Sequence, residues 1–460
     1  MPVAYVRSDD FAKMNHPMRV PLAAEIHSRP FLQLQAPETL THFALYAPQD
    51  QSAPANQRAA QHRILQELCV HYGVSVPHQS ARYFYHDFGR FRLKWESHTE
   101  FATYTFISRG NAQDDWEAAF QQAPLQHVPQ EWLAGLHGKI IVAAHVVLSN
   151  SAPAEPSDPA AMRQLFAGNV LVGSNAGGGG EIWTDFQIQP DGFSRFVVRD
   201  LNLRGGQSGR LVGRLLEIET YRMMALLALP QAEATQPALS AIESELAELT
   251  ATLVQSDRDT ASGSASEEQE LLHRITSLAA RVEKLSVNNS YRFAASQAYF
   301  SLVQARIQEL REVRIEGMQT LTEFMGRRLA PAMHTCSSVT RRQEALATRI
   351  ARSNDLLRTR VGIEQERQNR KILQSLDARA GQQLRLQQAV EGLSAVAISY
   401  YSLGLIGYAG KAMHAANLPV NPDVLTGAMV PLVVLGVLYC LRKLHHQLQA
   451  GDQAPTRHGA

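Results

Sequence analysis

The stretch "LSAVAISYYSLGLIGYAG" at residues 393–410 contains no charged residue, and neither does "VLTGAMVPLVVLGVLYCL" at residues 424–441. As a helix at ~1.5 Å per residue, each stretch would extend about 27 Å, close to the thickness of the hydrocarbon core of a bilayer. We predict that the two stretches form a transmembrane hairpin. The alternative is a pair of buried core helices, because Tyr400, Tyr401 and Ser402 make the first stretch only moderately apolar.

The charges that flank these stretches predict their orientation. "RKLHH" at 442–446 follows the second stretch, and Arg379 and Arg385 precede the first, whereas the connection 411–423 carries one lysine and one aspartate. By the positive-inside rule, both outer flanks face the cytoplasm. We therefore expect a multi-pass membrane protein whose N- and C-termini are cytoplasmic.

The composition excludes several functional classes. A formal net charge of +1 and 19% charged residues give no indication of nucleic-acid binding. Cys69, Cys336 and Cys440 lack Cys-x-x-Cys spacing, which argues against a disulfide framework and a structural zinc site. The N-terminus carries charges and no apolar run, so it is not a secretory signal. A chain of 460 residues should divide into two or three structural units.

Residues 1–208 mix strand and helix signals and predict a cytosolic α/β sheet domain. After a turn at Gly89, the residues Phe91, Leu93 and Trp95 alternate on one face, which predicts a hairpin within 83–106. The same signals predict a central buried strand at 139–148, a three-stranded meander at 169–200, and helices at 56–72 and around 114–122.

After Ser208 the pattern is helical. Segment 209–229 carries an apolar stripe and is closed by Pro230. Two later segments have apolar residues that step by three and four, and a polar loop at 257–266 separates them, which predicts an antiparallel helical hairpin. The stepping residues are Leu239, Ile242, Leu246, Leu249 and Leu253 in the first segment and Leu271, Ile275, Leu278, Val282 and Leu285 in the second.

No proline occurs from His334 to Met413, although Pro331 could interrupt the helical pattern just before. A single helix from about Thr340 through the first apolar stretch would be ~100 Å long. Its middle, 362–371, is polar all round, so we infer support from copies of itself in a homo-oligomer or from companion helices. The predicted domains are the sheet domain 1–208, a helical region 209–330 with its hairpin at 239–285, a stalk helix 331–391, the transmembrane hairpin 392–441 and a cytosolic tail 442–460.

Charge favours the hairpin as a companion of the stalk. Residues 241–285 include nine acidic and four basic side chains, whereas 341–371 include nine basic and four acidic ones. Each exposed pair would contribute only ~0–1 kcal/mol. The alternative, that both segments are solvated faces, stays open.

Distinctive motifs lie along the whole chain. They are "HPMRVPLAAEIHSRPF" (16–31), "EIWTDF" (181–186), "DGFSRF" (191–196), "GRLVGRLLEIETYRMMALLALP" (209–230), "SNDLLRTRVGIEQERQNRKIL" (353–373) and "LRLQQAVEGLSAVAISYYSLGLIGYAGK" (384–411). Together they resemble a bacterial family of uncharacterised membrane-anchored proteins, a domain-of-unknown-function family. The resemblance implies an anchor in the bacterial inner membrane and says nothing about activity, because no activity is established for the family.

The order of elements also resembles CorA-type magnesium transporters, which are pentamers. Those transporters carry Gly-Met-Asn at the outer end of the first span, whereas "IGYAGK" here has Gly407 followed by Tyr408 and Ala409. The asparagine that helps to hold the hydrated cation is therefore missing. The resemblance implies a CorA-like α+β fold and self-association, with a pentamer as the implied state, and it does not extend to magnesium selectivity.

Small residues in the first apolar stretch allow two interpretations. Gly404, Gly407 and Gly410 could line a pore, or they could let helix backbones pack closely. The pore-lining candidates, if they face a symmetry axis, are Ala397, Tyr400, Gly404, Gly407 and Lys411. A ring of Lys411 at the outer mouth would repel cations, unless the side chain extends to the headgroups.

Two other motifs could be chemical sites. "GSNAGGGGE" at 173–181 lacks the Lys-Ser/Thr of a phosphate loop and precedes a strand, so it predicts a flexible hairpin loop. On a strand, Glu25, His27 and Arg29 would share one face, as a charge-paired strut or, with His16, as a divalent-metal site. No cofactor is otherwise indicated, and no nucleophile–base motif of an enzyme occurs.

The sequence therefore favours a homo-oligomer in the lipid bilayer that conducts an ion or small solute under control of the cytosolic domain. A non-transporting membrane scaffold is the alternative. A metal-dependent enzyme that uses Glu25 and His27 is more distant.

Overall fold

A nine-stranded sheet precedes the long helices in the computed structural model of the protein. The structure describes residues 13–27, 30–46, 54–110, 116–121, 124–136, 139–150, 158–167, 169–258, 265–415 and 421–451. The strand order is β2-β3-β4-β1-β5-β8-β7-β6-β9. The strands are β1 (Glu38–Tyr46), β2 (Tyr83–Asp87), β3 (Arg92–Ser97), β4 (Phe101–Arg109), β5 (Ile140–Asn150), β6 (Val172–Ala176), β7 (Gly180–Thr184), β8 (Ser194–Asp200) and β9 (Val313–Arg314).

Strand β5 joins two antiparallel halves of this sheet. It pairs antiparallel with β1 on one side and parallel with β8 on the other, with Val147 opposite Val197. All remaining named pairs are antiparallel. Strand β1 lies between β4 and β5 and is buried along nearly its whole length, which makes it a core strand.

Helices cover both faces of the sheet. On one face, the buried Leu65 and Leu68 of α2 (Pro54–His71) pack with Phe43 and Trp95 from the strands. On the other face, Met224 of α6 (Gln207–Leu226) packs with strand residues. The helices up to this point are α1 (Arg19–His27), α2 (Pro54–His71), α3 (Trp116–Gln121), a 3-10 turn (Pro124–His127), α4 (Gln130–Ala134), α5 (Pro159–Leu165) and α6 (Gln207–Leu226).

The sheet predictions are confirmed where the periodicity was clear. Residues 83–106 fall in the hairpin β2–β3 and the following β4, 139–148 in the central β5, and 169–200 in the meander β6–β7–β8. Gly89 has a φ of +85°, which suits the tight turn that was expected there. The prediction omitted β1 altogether and assigned a strand to residues that form α1.

The helical hairpin is formed by α7 (Leu229–Arg258) and α8 (Ala265–Leu310). The Gln231 side chain donates to the Asn289 side chain at 2.8 Å, and Arg281 pairs with Glu245 at 2.6 Å. Ascending positions in α7 thus meet descending positions in α8, so the two helices run antiparallel. Most of the stepping apolar residues are buried, as predicted; Leu253 and Leu285 are half-buried.

One ionic cluster connects α8 with the sheet. Arg292 donates to the carboxylate of Glu100 next to β4, and the Tyr299 hydroxyl donates to the same carboxylate at 2.9 Å. Arg292 and Glu100 are both buried. Together with β9, which follows α8 and pairs with β6, this cluster makes residues beyond 208 part of the sheet assembly.

Helix α9 runs unbroken from Leu321 to Ala415. Pro331 lies inside this helix and does not interrupt it. The helical pattern is interrupted earlier instead, at the segment around β9. Arg342 of α9 donates to Glu243 of α7 at 2.8 Å and to Ser240 at 3.2 Å. This contact is of the kind expected from the opposite charges of the two segments, and its half-exposed partners contribute ~0–1 kcal/mol.

The chain divides into two compact units. The first comprises Met1–Thr260 and His273–Asn354, and the second Ala261–Leu272 and Asp355–Ala460. The second unit contains the end of α9 and the helix α10 (Pro422–Gly451). Both helices contain a stretch long and apolar enough to cross a membrane, and hardly any of either stretch is buried within the chain. The protein is thus α+β, with an N-terminal sheet and long C-terminal helices.

Candidate functional site

The pore-lining candidates lie on α9. Ala397, Tyr400, Gly404 and Lys411 are exposed. Gly407 lies against α10 instead, because a methyl group on its Cα would come 3.5 Å from the Thr426 Oγ1. At Gly407 the geometry is therefore that of close helix packing.

A different face of the same helix is covered. Ala395 and Ser399 are each only 8% exposed, and Gly410 is also buried. The Ser399 hydroxyl donates to the Ala395 carbonyl at 2.8 Å, so its polar group is satisfied within the helix. The apolar stretch of α9 thus has one covered face and one bare face, and the bare face carries Tyr400 and Gly404.

The bare face continues toward the N-terminus of α9 as a row that we call the α9 seam. Its positions are spaced alternately by four and three residues, the spacing of helices that pack side by side. Its apolar members are largely exposed: Ile372 at 57%, Leu386 at 68% and Leu393 at 74%. The full seam is Ile372, Leu376, Arg379, Gln383, Leu386, Val390, Leu393, Ala397, Tyr400, Gly404 and Lys411, and Gly407, which has the same spacing but lies against α10, is left out of it.

The positions beside the apolar part of the seam carry no charge. These flanking residues are Leu373, Ser375, Ala380, Gln382, Gln387 and Ala389. The charged Asp377, Arg385 and Glu391 lie farther round the helix, and Arg379 is the charged residue of the seam between Ile372 and Leu393. Identical charges would repel where copies meet, so an uncharged margin suits contact between copies of one helix.

The N-terminal constellation does not have the geometry expected of it. Glu25 and His27 belong to the helix α1, so the strand on which they were expected to share a face does not form. The strand-based arrangement was therefore wrong. Arg29 lies outside the described residues. The exposed His16 accepts a hydrogen bond from the Met18 N–H at 3.2 Å, and no cluster of metal-ligating side chains occurs among the described residues.

The glycine-rich motif forms the tight connection between β6 and β7, as expected for a hairpin loop. Glu181, the last residue of the motif, is buried near the start of β7. Its carboxylate accepts from the Trp183 indole at 2.6 Å and from Arg199 of β8 at 2.8 Å. Glu181 thus belongs to a cross-strand ion pair, a role that its sequence neighbours did not indicate.

Two buried histidines were missed because each partner comes from a distant part of the chain. His42 lies between the hydroxyls of Thr105 at 2.8 Å and Thr220 at 3.0 Å, beside a cavity of about 260 Å³. His145 bonds the Thr41 hydroxyl at 2.9 Å. Burial lowers the pKa of His42 to about 3 and that of His145 to about 4.

We expect these histidines to make the protein less stable in acid. In the folded state both stay neutral, whereas in the unfolded state they bind protons below 6.5, so stability falls as the pH drops from 6.5 to about 4. The loss approaches about 1.4 kcal/mol per pH unit for each histidine. Melting temperatures measured across this range should show a shallower slope for His42→Gln. The exposed His334→Gln should keep the original slope; an unchanged slope in His42→Gln contradicts the prediction.

Comparison with known proteins gives one match. The sequence model of the family described as "Protein of unknown function (DUF3422)" matches residues 14–448. No curated protein and no solved structure matches the chain. The matched region includes the sheet, the helical hairpin and both apolar helices.

Proposed function

The chain belongs to the DUF3422 family of proteins of unknown function, and from that premise we propose that it is a homo-oligomeric membrane protein whose long helices surround a path for small ions or solutes. The observation that carries this proposal is the exposed α9 seam. Ile372, Leu386 and Val390 lie before the apolar span, where bare aliphatic side chains would face water. Burying each such side chain contributes about 1.5–3 kcal/mol.

A second copy of α9 is the partner that the seam favours. Copies inserted in one bilayer in one orientation lie parallel, which brings identical seam positions to the same depth. The uncharged flanks avoid repulsion between these copies, and Gln383 can hydrogen-bond to its own counterparts. Arg379 opposes association, because several copies would bring like charges together.

The same register extends to the pore-lining candidates. If the seam faces the symmetry axis at Leu393, it also faces the axis at Ala397, Tyr400 and Gly404. Small side chains at Ala397 and Gly404 leave room at the axis, and the Tyr400 hydroxyls offer polar groups to a permeating solute. Lys411 then lies at the mouth. We propose that this mouth is outside and that both termini are cytoplasmic, as the flanking charges predict.

Lys411 makes the permeation proposal testable through charge selectivity. In this arrangement its ring favours anions over cations. A unit charge ~8 Å from an ion contributes about 2 kcal/mol at an effective dielectric constant of ~20. Lys411→Glu should therefore raise the cation-to-anion permeability ratio by at least about tenfold, measured as reversal potentials or ion flux in liposomes.

The control is Lys443→Glu, which makes the same charge change beyond the other span. Equal selectivity in wild type and Lys411→Glu would place Lys411 away from the path. An oligomer without any flux would instead identify a membrane scaffold that organises a complex through its sheet domain.

A further inference from the structure

A cavity of about 740 Å³ opens beside the glycine-rich loop of the sheet domain. Three parts of the chain form it: the loop between β6 and β7, the segment from the end of β8 to the start of α6, and the junction of α8 with β9. All three belong to the first compact unit. The cavity is distinct from the α9 seam and from the smaller cavity beside His42.

The charged lining of this cavity is mostly basic. Arg210 and Arg214 extend from α6, and Arg311 precedes β9, whereas Glu309 is the acidic side chain of the lining. Three arginines and one glutamate give 3 − 1 = +2 as the formal net charge. Glu309 is already engaged by Arg214 at 2.9 Å and by Arg306 at 2.8 Å.

Arg210 is the cation best placed for a ligand. Its guanidinium lies over the ring of Phe31 at 5.9 Å and makes no ion pair with a carboxylate among the described residues. Arg311 likewise has no ion-pair partner in the part of the chain that the structure describes. A guanidinium presents several N–H donors in a fixed plane, which suits two oxygens of one phosphate group.

The glycines keep one wall of the cavity free of side chains. Gly177 and Gly178 have φ values of +67° and +77°, and a Cβ on Gly179 would come 2.6 Å from the Asn202 carbonyl oxygen. A Cβ on Gly180 would come 2.5 Å from Leu211. Gly179 and Gly180 thus have neighbouring parts of the chain packed against them, whereas the exposed Gly177 and Gly178 leave the loop backbone open to a ligand.

The start of α6 adds to the positive field. Its first turn contains no acidic residue and Gly206 at its N-cap supplies no side chain, although the Asp200 carboxylate accepts from the Ser208 hydroxyl of this turn at 2.9 Å and offsets part of that field. Leu203, Leu211 and Val313 make up the apolar part of the lining, which we call its apolar wall. The cavity thus combines cationic and apolar side chains.

We propose that this cavity binds a phosphate-bearing molecule, with Arg210 and Arg311 holding the phosphate against the glycine loop and the apolar wall holding its organic part. The parts of this site lie far apart in the sequence. The glycine loop, the α6 arginine and the β9 junction come together only in the folded sheet. The site does not depend on permeation, because it lies within the first unit and would also serve a scaffold. The phosphate could belong to a soluble metabolite or to a lipid headgroup.

Inorganic pyrophosphate is a suitable probe of the shared phosphate chemistry. We expect calorimetry to detect its binding to the full-length protein in phosphatidylcholine nanodiscs. Arg210→Ala should weaken this binding about tenfold to a hundredfold, the range for losing a hydrogen bond between charged groups. Arg311→Ala, a surface change, should weaken it in the same direction. Added salt should also weaken binding, because it screens the charges.

Arg328→Ala is the matched control. Arg328 lies over the ring of Phe324 at 5.6 Å, so its removal deletes the same charge and the same kind of stacking contact away from the cavity. Its affinity for pyrophosphate should equal that of wild type. No binding of pyrophosphate by wild type, or equal affinity in wild type, Arg210→Ala and Arg311→Ala, would overturn the proposal.

Nanodiscs that contain phosphatidic acid separate the two phosphate sources. If the headgroup occupies the cavity, pyrophosphate binding should weaken in these discs, and Arg210→Ala should remove that difference between discs. If the natural ligand is a soluble metabolite, pyrophosphate should bind equally in both kinds of disc. Either result supports a phosphate site and identifies where its ligand comes from.

Discussion

Replacing Leu386 by aspartate should convert the proposed oligomer into monomers in mild detergent. Each copy loses the burial of one leucine, worth about 1.5–3 kcal/mol. Each copy also adds a carboxylate that faces its own counterparts. Light scattering coupled to size exclusion should show the loss of mass, and reconstituted Leu386→Asp should lose the flux of wild type because the path no longer assembles.

Leu384→Asp is the matched control for this experiment. Leu384 is a leucine of the same helix, 52% exposed and two residues from Leu386, but it lies outside the α9 seam. The same substitution there should leave the oligomer intact. Arg379→Leu should act in the opposite direction and strengthen association, since it removes a ring of like charges from the seam. Dissociation by Leu384→Asp and Leu386→Asp alike would contradict a specific seam.

Arg199→Leu should destabilise the sheet domain by about 3–5 kcal/mol, because it removes the cation of a buried ion pair and keeps the buried Glu181 carboxylate. Arg199 and Glu181 are 6% and 3% exposed and stand opposite each other on β8 and β7. Many domains have only about 5–15 kcal/mol of stability in total. Denaturant unfolding monitored by tryptophan fluorescence should report the change, since Trp183 donates to the same carboxylate.

The double variant Glu181→Gln with Arg199→Leu tests whether the buried charge that remains on Glu181 causes the loss of stability in Arg199→Leu. The new amide at position 181 would still offer an oxygen to the Trp183 indole, and no buried charge remains in this pair, so most of the lost stability should return. The exposed pair Arg370–Glu366 provides the comparison, where Arg370→Leu should cost ~0–1 kcal/mol. A double variant as unstable as Arg199→Leu would show that packing, and not charge, is responsible.

Periodicity made much of the fold predictable. Leu239, Ile242 and Leu246 step by three and four residues, which places them on one face of a helix. All three are buried in the structure. The alternation of Phe91, Leu93 and Trp95 likewise places all three in the core. Such patterns need no knowledge of the partner, because each element determines its own buried face.

The prediction of a strand near the N-terminus was wrong because polar residues alternate there as they would on a strand. Glu25, His27 and Arg29 alternate like residues of a strand, yet Leu22, Ala23 and Ala24 just before them favour a helix. The actual strand begins at Glu38, where Thr39, Thr41 and Phe43 supply β-branched and aromatic residues. That composition favours a strand at this position. The signal was weak because β1 is buried on both faces, so its apolar residues do not alternate with exposed ones.

The candidate sites were only partly readable from the sequence. The seam from Leu386 to Lys411 follows a visible spacing, but Arg379 and Gln383 obscure its earlier part. The glycine loop alone did not predict a phosphate site, because a strand follows it. Its helix N-terminus and Arg210 come instead from α6, which begins after β8, so only the folded sheet brings these parts together.

Because β9 comes late in the sequence, it also determines when the sheet can be completed during synthesis of the chain. The sheet cannot acquire its last strand until Arg314 has been translated, whereas Leu393 and the apolar span emerge later. At ~5–20 residues per second, the ribosome needs about 4–16 s for the intervening segment. Mixed α/β domains of moderate size commonly fold faster than that. A domain that is already folded when the span reaches the insertion machinery stays on the side of the ribosome, which is the orientation that the flanking arginines favour.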